Sequence, residues 1–322
     1  MYRHDSSAAS RSALDTETGV IVELASLLAT DETLRLIVAT DYDGTLVPIV
    51  SDPSTARLSP AVKILLESLA SLKNVHVMVS SGRSREALDT LAALTPTSPR
   101  TTGWGGLALS TSHGFVVVGK FGSLDKAISV APAIAAAKAE LHRALSDDPT
   151  TFEGVVLEQA EALVTIHYRN ADRDALPALE HLVDVAAASH RLEKRSAILA
   201  FELRGRDSDG GVWHKGSALN WVIARVAGEE LLQSTTPASP PPIALLVIGD
   251  DLTDEDMFSA AQSALDDGEV AAAWTIRVVN EDERATRARL LIDSPASVAK
   301  LLADVLKVMA TKGGEEKPII PA

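Results

Sequence analysis

The chain has 322 residues, 46% hydrophobic and 23% charged, with a formal net charge of −14 and no cysteine. That length can bury one or two sizeable cores, and the composition is globular rather than disordered. The acidic balance argues against a nucleic-acid surface, which needs Lys and Arg to neutralise phosphates. The lack of cysteine excludes disulfides, zinc–thiolate sites and thiol catalysis.

Segment 20–29 carries Glu23 and reads as a short amphipathic helix rather than a signal-peptide core. No apolar run reaches the roughly 18 residues that a membrane span requires, so a soluble cytoplasmic protein is the expectation. Residues 34–40 (LRLIVAT) form a continuous apolar, β-branched run ending in Asp41-Tyr42-Asp43-Gly44, the pattern of a buried parallel strand followed by a turn. Ser59 and Pro60 then provide an N-cap and a first helical position for a helix over 61–72. Residues 75–79 predict a second buried strand that runs into Ser80-Ser81-Gly82-Arg83, and 86–94 a second helix. Alternation of this kind predicts right-handed crossovers and a parallel sheet.

The middle of the chain changes character. Strands are expected over 115–120, 155–158, 162–168 and 198–203, with longer helices over 124–145 and 175–188 between them. Residues 204–211 are polar and Gly-rich, a hinge in sequence terms, after which the first pattern resumes. A helix over 215–227 and a Pro-rich loop over 233–242 precede a buried strand over 243–248, which again ends in acid at Gly249-Asp250-Asp251. A strand over 273–279 and a helix over 297–309 close the pattern. The expected fold is therefore α/β: a Rossmann-like parallel sheet with helices on both faces, built from 34–120 and 210–311. An α+β unit is inserted at 121–209, with an N-terminal extension at 1–33 and a loose tail at 312–322.

Three strands thus end in polar clusters, and in open α/β sheets ligands bind outside the carboxyl ends of the strands. If those strands are neighbours, four carboxylates meet in one small volume, where they raise one another's pKa values unless a cation intervenes. Mg²⁺ suits such a site, because it takes one or two carboxylates, waters and phosphate oxygens. Taken singly, D-x-D-G-T is also a common turn, Ser-Gly a common turn pair, and the acid-rich 249–256 a favourable helix start. The combination in this order is far more specific than its parts.

In that combination the chain resembles the haloacid-dehalogenase superfamily, and within it the trehalose-phosphatase family. Asp41–Leu46 stand as D-x-D-G-T-L, Ser81-Gly82-Arg83 as S-G-R, Lys215-Gly216 as the Lys-Gly motif, and Gly249–Asp256 as G-D-D-x-T-D-E-D. Ser112-His113-Gly114 and His167-Tyr168-Arg169 match signatures of the trehalose-phosphate branch, and the resemblance covers roughly residues 34–310. It implies Asp41 as nucleophile, Asp43 as general acid and then base, and Mg²⁺ held by Asp41, the main-chain oxygen of Asp43 and Asp250. Ser81, Gly82 and Lys215 would hold the phosphoryl oxygens with help from Arg83, and Asp251 and Asp254 would order the metal's waters or Lys215. The inserted unit becomes a cap over the sugar, with His113, Glu158, Arg169 and Glu202 as candidate sugar contacts.

The implied reaction is hydrolysis of trehalose 6-phosphate, with a glucosylglycerol-type sugar phosphate or a catalytically silent regulatory module as the rivals. The expected partners are a small sugar phosphate and, by resemblance, a trehalose-phosphate synthase, with no nucleic acid and no membrane. Three positions depart from the family pattern: Gln159-Ala160 after Glu158 where the family has E-[DN]-K, His214 where it has Asp, and Gly205 where it has Pro.

Overall fold

The apolar run after Leu34 is β1 (Arg35–Asp41), every residue of which is buried. In the computed structural model, which describes residues 13–94, 107–119, 122–197, 199–206, 213–228, 242–280 and 284–312, it lies at the centre of an eight-stranded sheet. Before it comes α1 (Ala13–Thr30). After it come α2 (Pro60–Ser71), β2 (Val75–Ser80), α3 (Arg85–Leu91), β3 (Leu107–Thr111), β4 (Val116–Gly119) and β5 (Gly122–Asp125). The second unit contains α4 (Ala127–Asp147), β6 (Val156–Gln159), β7 (Leu163–His167), α5 (Leu176–His190), β8 (Glu193–Ala197) and β9 (Ala200–Arg204). The chain then returns through α6 (Lys215–Gly228), β10 (Ile243–Gly249), α7 (Glu255–Asp266), β11 (Ala272–Val278), β12 (Leu290–Ile292) and α8 (Pro295–Lys312).

The order of the larger sheet is β12-β11-β10-β1-β2-β3-β4-β5. Pairing is parallel from β12 to β3 and antiparallel at β3–β4 and β4–β5. The chain moves one way from β1 through β2 to β3 and the other way from β10 through β11 to β12. The order therefore reverses between β1 and β10, which is where an open α/β sheet forms its crevice. Register aligns the strand ends: Thr40 pairs with Ile248, Asp41 with Ser80, and Ser80 with Ser110. Asp41, Ser81, Ser112 and Asp250 consequently leave the sheet along one edge.

Apolar side chains on opposite faces of this sheet form two cores. One gathers α1, α2 and α8 around residues such as Leu24, Leu66 and Leu301, and the other gathers α6 and α7 around Leu219, Val222 and Phe258. Helix starts follow their local chemistry, with Ser59 accepting the N–H of Val62 at 3.3 Å and Ser84 that of Ala87 at 3.2 Å. The helix expected over 20–29 runs from Ala13, and Val20, Leu24 and Leu28 are buried in the first core, so α1 packs as part of the sheet's covering layer.

β6 to β9 form a separate antiparallel sheet in the order β6-β7-β9-β8, covered by α4 and α5 through a third core around Ile134, Val164, Val183 and Leu203. This is the α+β insertion, referred to below as the cap. Most of the hinge expected over 204–211, the Pro-rich loop and the tail lie outside the described residues. Among the described residues no helix is long and apolar enough to cross a membrane.

Candidate active site

Asp41 sits at the last position of β1 and Asp250 just beyond β10, so the parallel register of those strands brings the two carboxylates together. Asp254 arrives from the turn before α7. Ligand oxygens of Asp41, Asp250 and Asp254 all lie within 4.8 Å of one another, and all three residues are buried. Lys215, first residue of α6 and only 2% exposed, points its ammonium into this cluster. It donates to Asp41 Oδ1 at 2.5 Å and to Asp254 Oδ1 at 2.8 Å. The other oxygen of Asp254 accepts the backbone N–H groups of Asp250 at 2.9 Å and Asp251 at 3.1 Å. Asp254 is thus fully engaged by protein donors, whereas Asp41 offers a second oxygen to the cavity.

Two glycines permit this packing. Gly44 has φ +81° and lies so close to Asp250 that a Cβ would stand 2.2 Å from its Oδ2. At Gly82 a Cβ would stand 2.4 Å from Nε2 of His113, so the phosphate-loop candidate and the His113 ring are in direct contact. Arg83 grips Asp43 as a fork, Nε to Oδ2 and Nη2 to Oδ1, both at 2.7 Å.

Burial sets the electrostatics. It pushes Asp41 well above the usual carboxylate range, with Lys215 opposing and Asp254, Asp250 and Asp251 reinforcing. Burial and then Asp254 and Asp251 push Asp250 up to about 7. Asp254 is raised by burial to about 6 although Lys215 pulls the other way. For Lys215 burial favours the neutral amine, but Asp254, Asp41 and Asp251 outweigh it and hold the ammonium well above its ordinary value. Burial also works against the charge of Arg83, and its bonds to Asp43 reverse that. The acids and the lysine therefore form a buried network with more negative than positive groups at the floor of the cavity.

From the cap, Glu202 on β9 faces His113 at 3.6 Å and is held by Arg204 at 3.0 and 2.6 Å. Burial disfavours the Glu202 carboxylate, but His113 and Arg204 overcome this and hold it well below the usual range, while burial and Arg204 pull His113 down. Glu158 on β6 pairs with His167 at 3.0 Å. Arg169 lies two residues past the end of β7, exposed in a loop. Of the sequence-predicted residues, all but Asp254 line a single cavity of about 330 Å³, while Asp254 lies buried beneath it. A neighbouring hollow of about 820 Å³ between α3, Pro53 and the cap shares Arg83, Glu158, Arg169 and Glu202.

A trehalose-phosphatase family model matches residues 39–296, which takes in the cap and every residue of this cavity. The chain belongs to the trehalose-phosphatase family. Curated relatives include a trehalose-phosphate phosphatase of Mycobacterium bovis, 33% identical over 263 residues, covering 81% of this chain and 58% of that protein. One from Mycobacterium avium is 35% identical over 273 residues, covering 83% of this chain and 62% of that protein. The chain thus spans about three fifths of the length of these relatives. Among solved structures, the C-terminal domain of C. albicans trehalose-6-phosphate phosphatase shares the fold with a TM-score of 0.65. Its identity is 22%, covering 91% of this chain and 97% of that one.

Several polar residues that hold this site together were not legible in the sequence. Asn280 donates to the backbone oxygen of Asp250 at 3.1 Å and to its Oδ2 at 3.3 Å. Trp213 donates to the carbonyl of Gly114 at 2.5 Å, and Glu161 reaches from the cap to Ser112 and Arg85. His214, where the family has Asp, caps α6 by accepting the N–H of Ser217 at Nδ1, so the helix that carries Lys215 keeps a capping side chain. The only sequence signal for Asn280 is its position just past an apolar strand, at the same edge as Asp41 and Asp250.

Proposed function

We propose that this chain is a phosphomonoesterase that hydrolyses trehalose 6-phosphate through an aspartyl phosphate on Asp41. The observation that carries the reading is the buried Asp41–Lys215–Asp254–Asp250 cluster at the strand-order reversal, opening on a cavity that the cap covers.

In this reading an oxygen of Asp41 attacks phosphorus while Lys215 holds the other oxygen and keeps the carboxylate aimed. The bond from phosphorus to the sugar oxygen breaks, and Asp43 delivers a proton to that oxygen. Arg83 must release one oxygen of Asp43 for the proton to sit there, so its fork is a resting contact that the substrate displaces. Water then attacks the phosphorus of the aspartyl phosphate, Asp43 takes its proton, and phosphate leaves with Asp41 restored. Ser81 and the N–H of Gly82 hold the phosphoryl oxygens, and the cap excludes bulk water from the intermediate.

The donor set fits Mg²⁺: hard carboxylate oxygens of Asp41, Asp250 and Asp254 grouped within 4.8 Å, all three with pKa values raised by burial first and by one another's charge second. Asp41, Asp250 and the main-chain oxygen of Asp43 would hold it. Asp254, its oxygens taken by Lys215 and two backbone N–H groups, would support rather than ligate. Bound there, Mg²⁺ supplies the positive charge that lets a carboxylate approach a phosphate dianion.

On the cap, Glu158, Arg169 and Glu202 present groups that pair with sugar hydroxyls, and the larger hollow gives room for a second ring. The reading also places the protein in the cytoplasm, beside an enzyme that makes the sugar phosphate. Phosphate release from a panel of sugar phosphates, with Mg²⁺ and with a chelator, tests it. Trehalose 6-phosphate is expected to lead and the chelator to abolish turnover. A preference of more than about tenfold, or 1.4 kcal/mol, for another sugar would sink the trehalose assignment.

A further inference from the structure

The cap touches the larger sheet at a point to which the mechanism assigns no role. Glu161 lies in the turn between β6 and β7. Its Oε1 accepts the backbone N–H of Arg85 at 2.7 Å, and its Oε2 accepts the hydroxyl of Ser112. Neither donor belongs to the cap. Arg85 opens α3, and its N–H is one of the first-turn donors that no intrahelical carbonyl can satisfy.

Both donors frame the loop Ser81-Gly82-Arg83. Ser112 gives its own N–H to the carbonyl of Arg83 at 3.0 Å, and His113 gives its N–H to the carbonyl of Ser81 at 2.9 Å. The His113 ring then rests on Gly82. Ser112 and His113 stand at φ +49° and +55°, two consecutive non-glycine residues in the left-handed region. Such a pair is strained and persists only where surrounding contacts hold it. Glu161 is one of those contacts, and it comes from the cap. Elsewhere Arg195 of β8 reaches Asp256 of α7 at 3.5 Å and Glu202 of β9 faces His113 at 3.6 Å, so the cap meets the larger unit at further points.

We propose that Glu161 is a positioning residue that fastens the cap to Ser112 and Arg85, and so completes the Ser81-Gly82-Arg83 loop only when the cap is closed. The proposal rests on the reading of that loop as the phosphate holder. It makes cap closure and phosphate capture one event, because the same carboxylate takes part in both. With the cap open, the hydroxyl of Ser112 and the N–H of Arg85 turn to water and the strained turn loses a contact.

The chain has no cysteine, so single cysteines placed at the exposed Ile64 of α2 and Val185 of α5 give a clean pair of spin labels, one on the larger unit and one on the cap. In this background Glu161→Ala and Ser112→Ala are expected to shift the label distance distribution to longer and broader values, with a cooperative thermal transition retained. Their affinity for inorganic phosphate should fall about tenfold, and the double variant should lose no more than Glu161→Ala alone, as partners in one contact do. Glu161→Gln keeps the shape but presents an amide N–H to one of the two donors, and should fall between wild type and Glu161→Ala. Distance distributions and phosphate affinities that coincide with wild type would overturn the proposal, as would losses that add in the double variant. Should the wild type turn over no phosphomonoester yet show these shifts, the strap stands and the phosphatase reading falls.

Discussion

Replacing Lys215 with methionine keeps the volume of the side chain but removes the ammonium shared by Asp41 and Asp254. The lysine is 2% exposed and its partners are 2.5 and 2.8 Å away, so water cannot take its place. Removing one member of a buried ionic network typically costs about 3–5 kcal/mol, because the remaining charges stay buried without compensation. Here the carboxylates can escape that cost by binding protons, which makes the loss depend on pH. In the native protein the Lys215 pKa is raised, so its contribution is complete below the unfolded value and is lost only as pH rises through the folded one, above 10.5. In the variant, Asp41 and Asp254, already raised, move further up and bind more protons folded than unfolded. The stability of the variant therefore falls as pH rises, and the gap to wild type widens from below about 2 kcal/mol near pH 5 to about 3–5 kcal/mol near pH 8. Urea unfolding followed by tryptophan fluorescence, with a chelator present, measures both gaps. A loss under about 1 kcal/mol that is equal at the two pH values would refute the reasoning.

The same acids link metal to stability in the unmodified protein. Asp250 is raised to about 7 from 3.8, so between those values the folded state binds more protons and metal-free stability declines as pH rises. Mg²⁺ should remove that decline, and its effect on the thermal midpoint should grow with pH; a midpoint indifferent to Mg²⁺ near neutral pH counts against the assigned metal site. Asn280→Ala frees the Asp250 carboxylate from its donor and should weaken Mg²⁺ binding about tenfold or more, read by calorimetry, with little change in fold. Unaltered Mg²⁺ affinity would show that Asn280 plays no part in orienting Asp250.

Much of the site was legible because its backbone elements announce themselves. β1 and β10 are unbroken apolar runs that stop abruptly at acid, and no core-packing role explains Asp41 or Asp250 at those stops. β3 and β12 were not legible as strands, and β12, with three residues, carries too little periodicity to be read as one. β8 escaped because EKRSA lies at the cap's edge, where charged side chains replace the apolar signal. The N-terminal helix was underestimated since its first turns are polar, and only Val20, Leu24 and Leu28 reveal the buried stripe.

Cross-chain contacts were the least legible. Glu161 and Ser112 lie 49 positions apart, Asn280 and Asp250 30 apart, and each pair meets only through strand order and cap placement. Arg83 could be seen as a candidate from its place after Ser81-Gly82, but its grip on Asp43 depends on the register between β1 and β2.

The central claim is that the phosphoryl group passes through Asp41, and turnover in heavy-oxygen water does not decide it. Hydrolysis of the aspartyl phosphate by attack of water at phosphorus leaves the bridging oxygen on the carboxylate. Label therefore enters the released phosphate in every turnover, as it also would if water attacked the substrate directly. The decisive measurement is consequently chemical trapping. Enzyme quenched during turnover of trehalose 6-phosphate is treated with borohydride, which reduces an acyl phosphate to an alcohol, and the peptide containing Asp41 is examined by mass spectrometry. The account predicts homoserine at position 41, present only with substrate and absent in Asp41→Asn. Full turnover with Asp41 unmodified, or near-normal activity in Asp41→Asn, would contradict it.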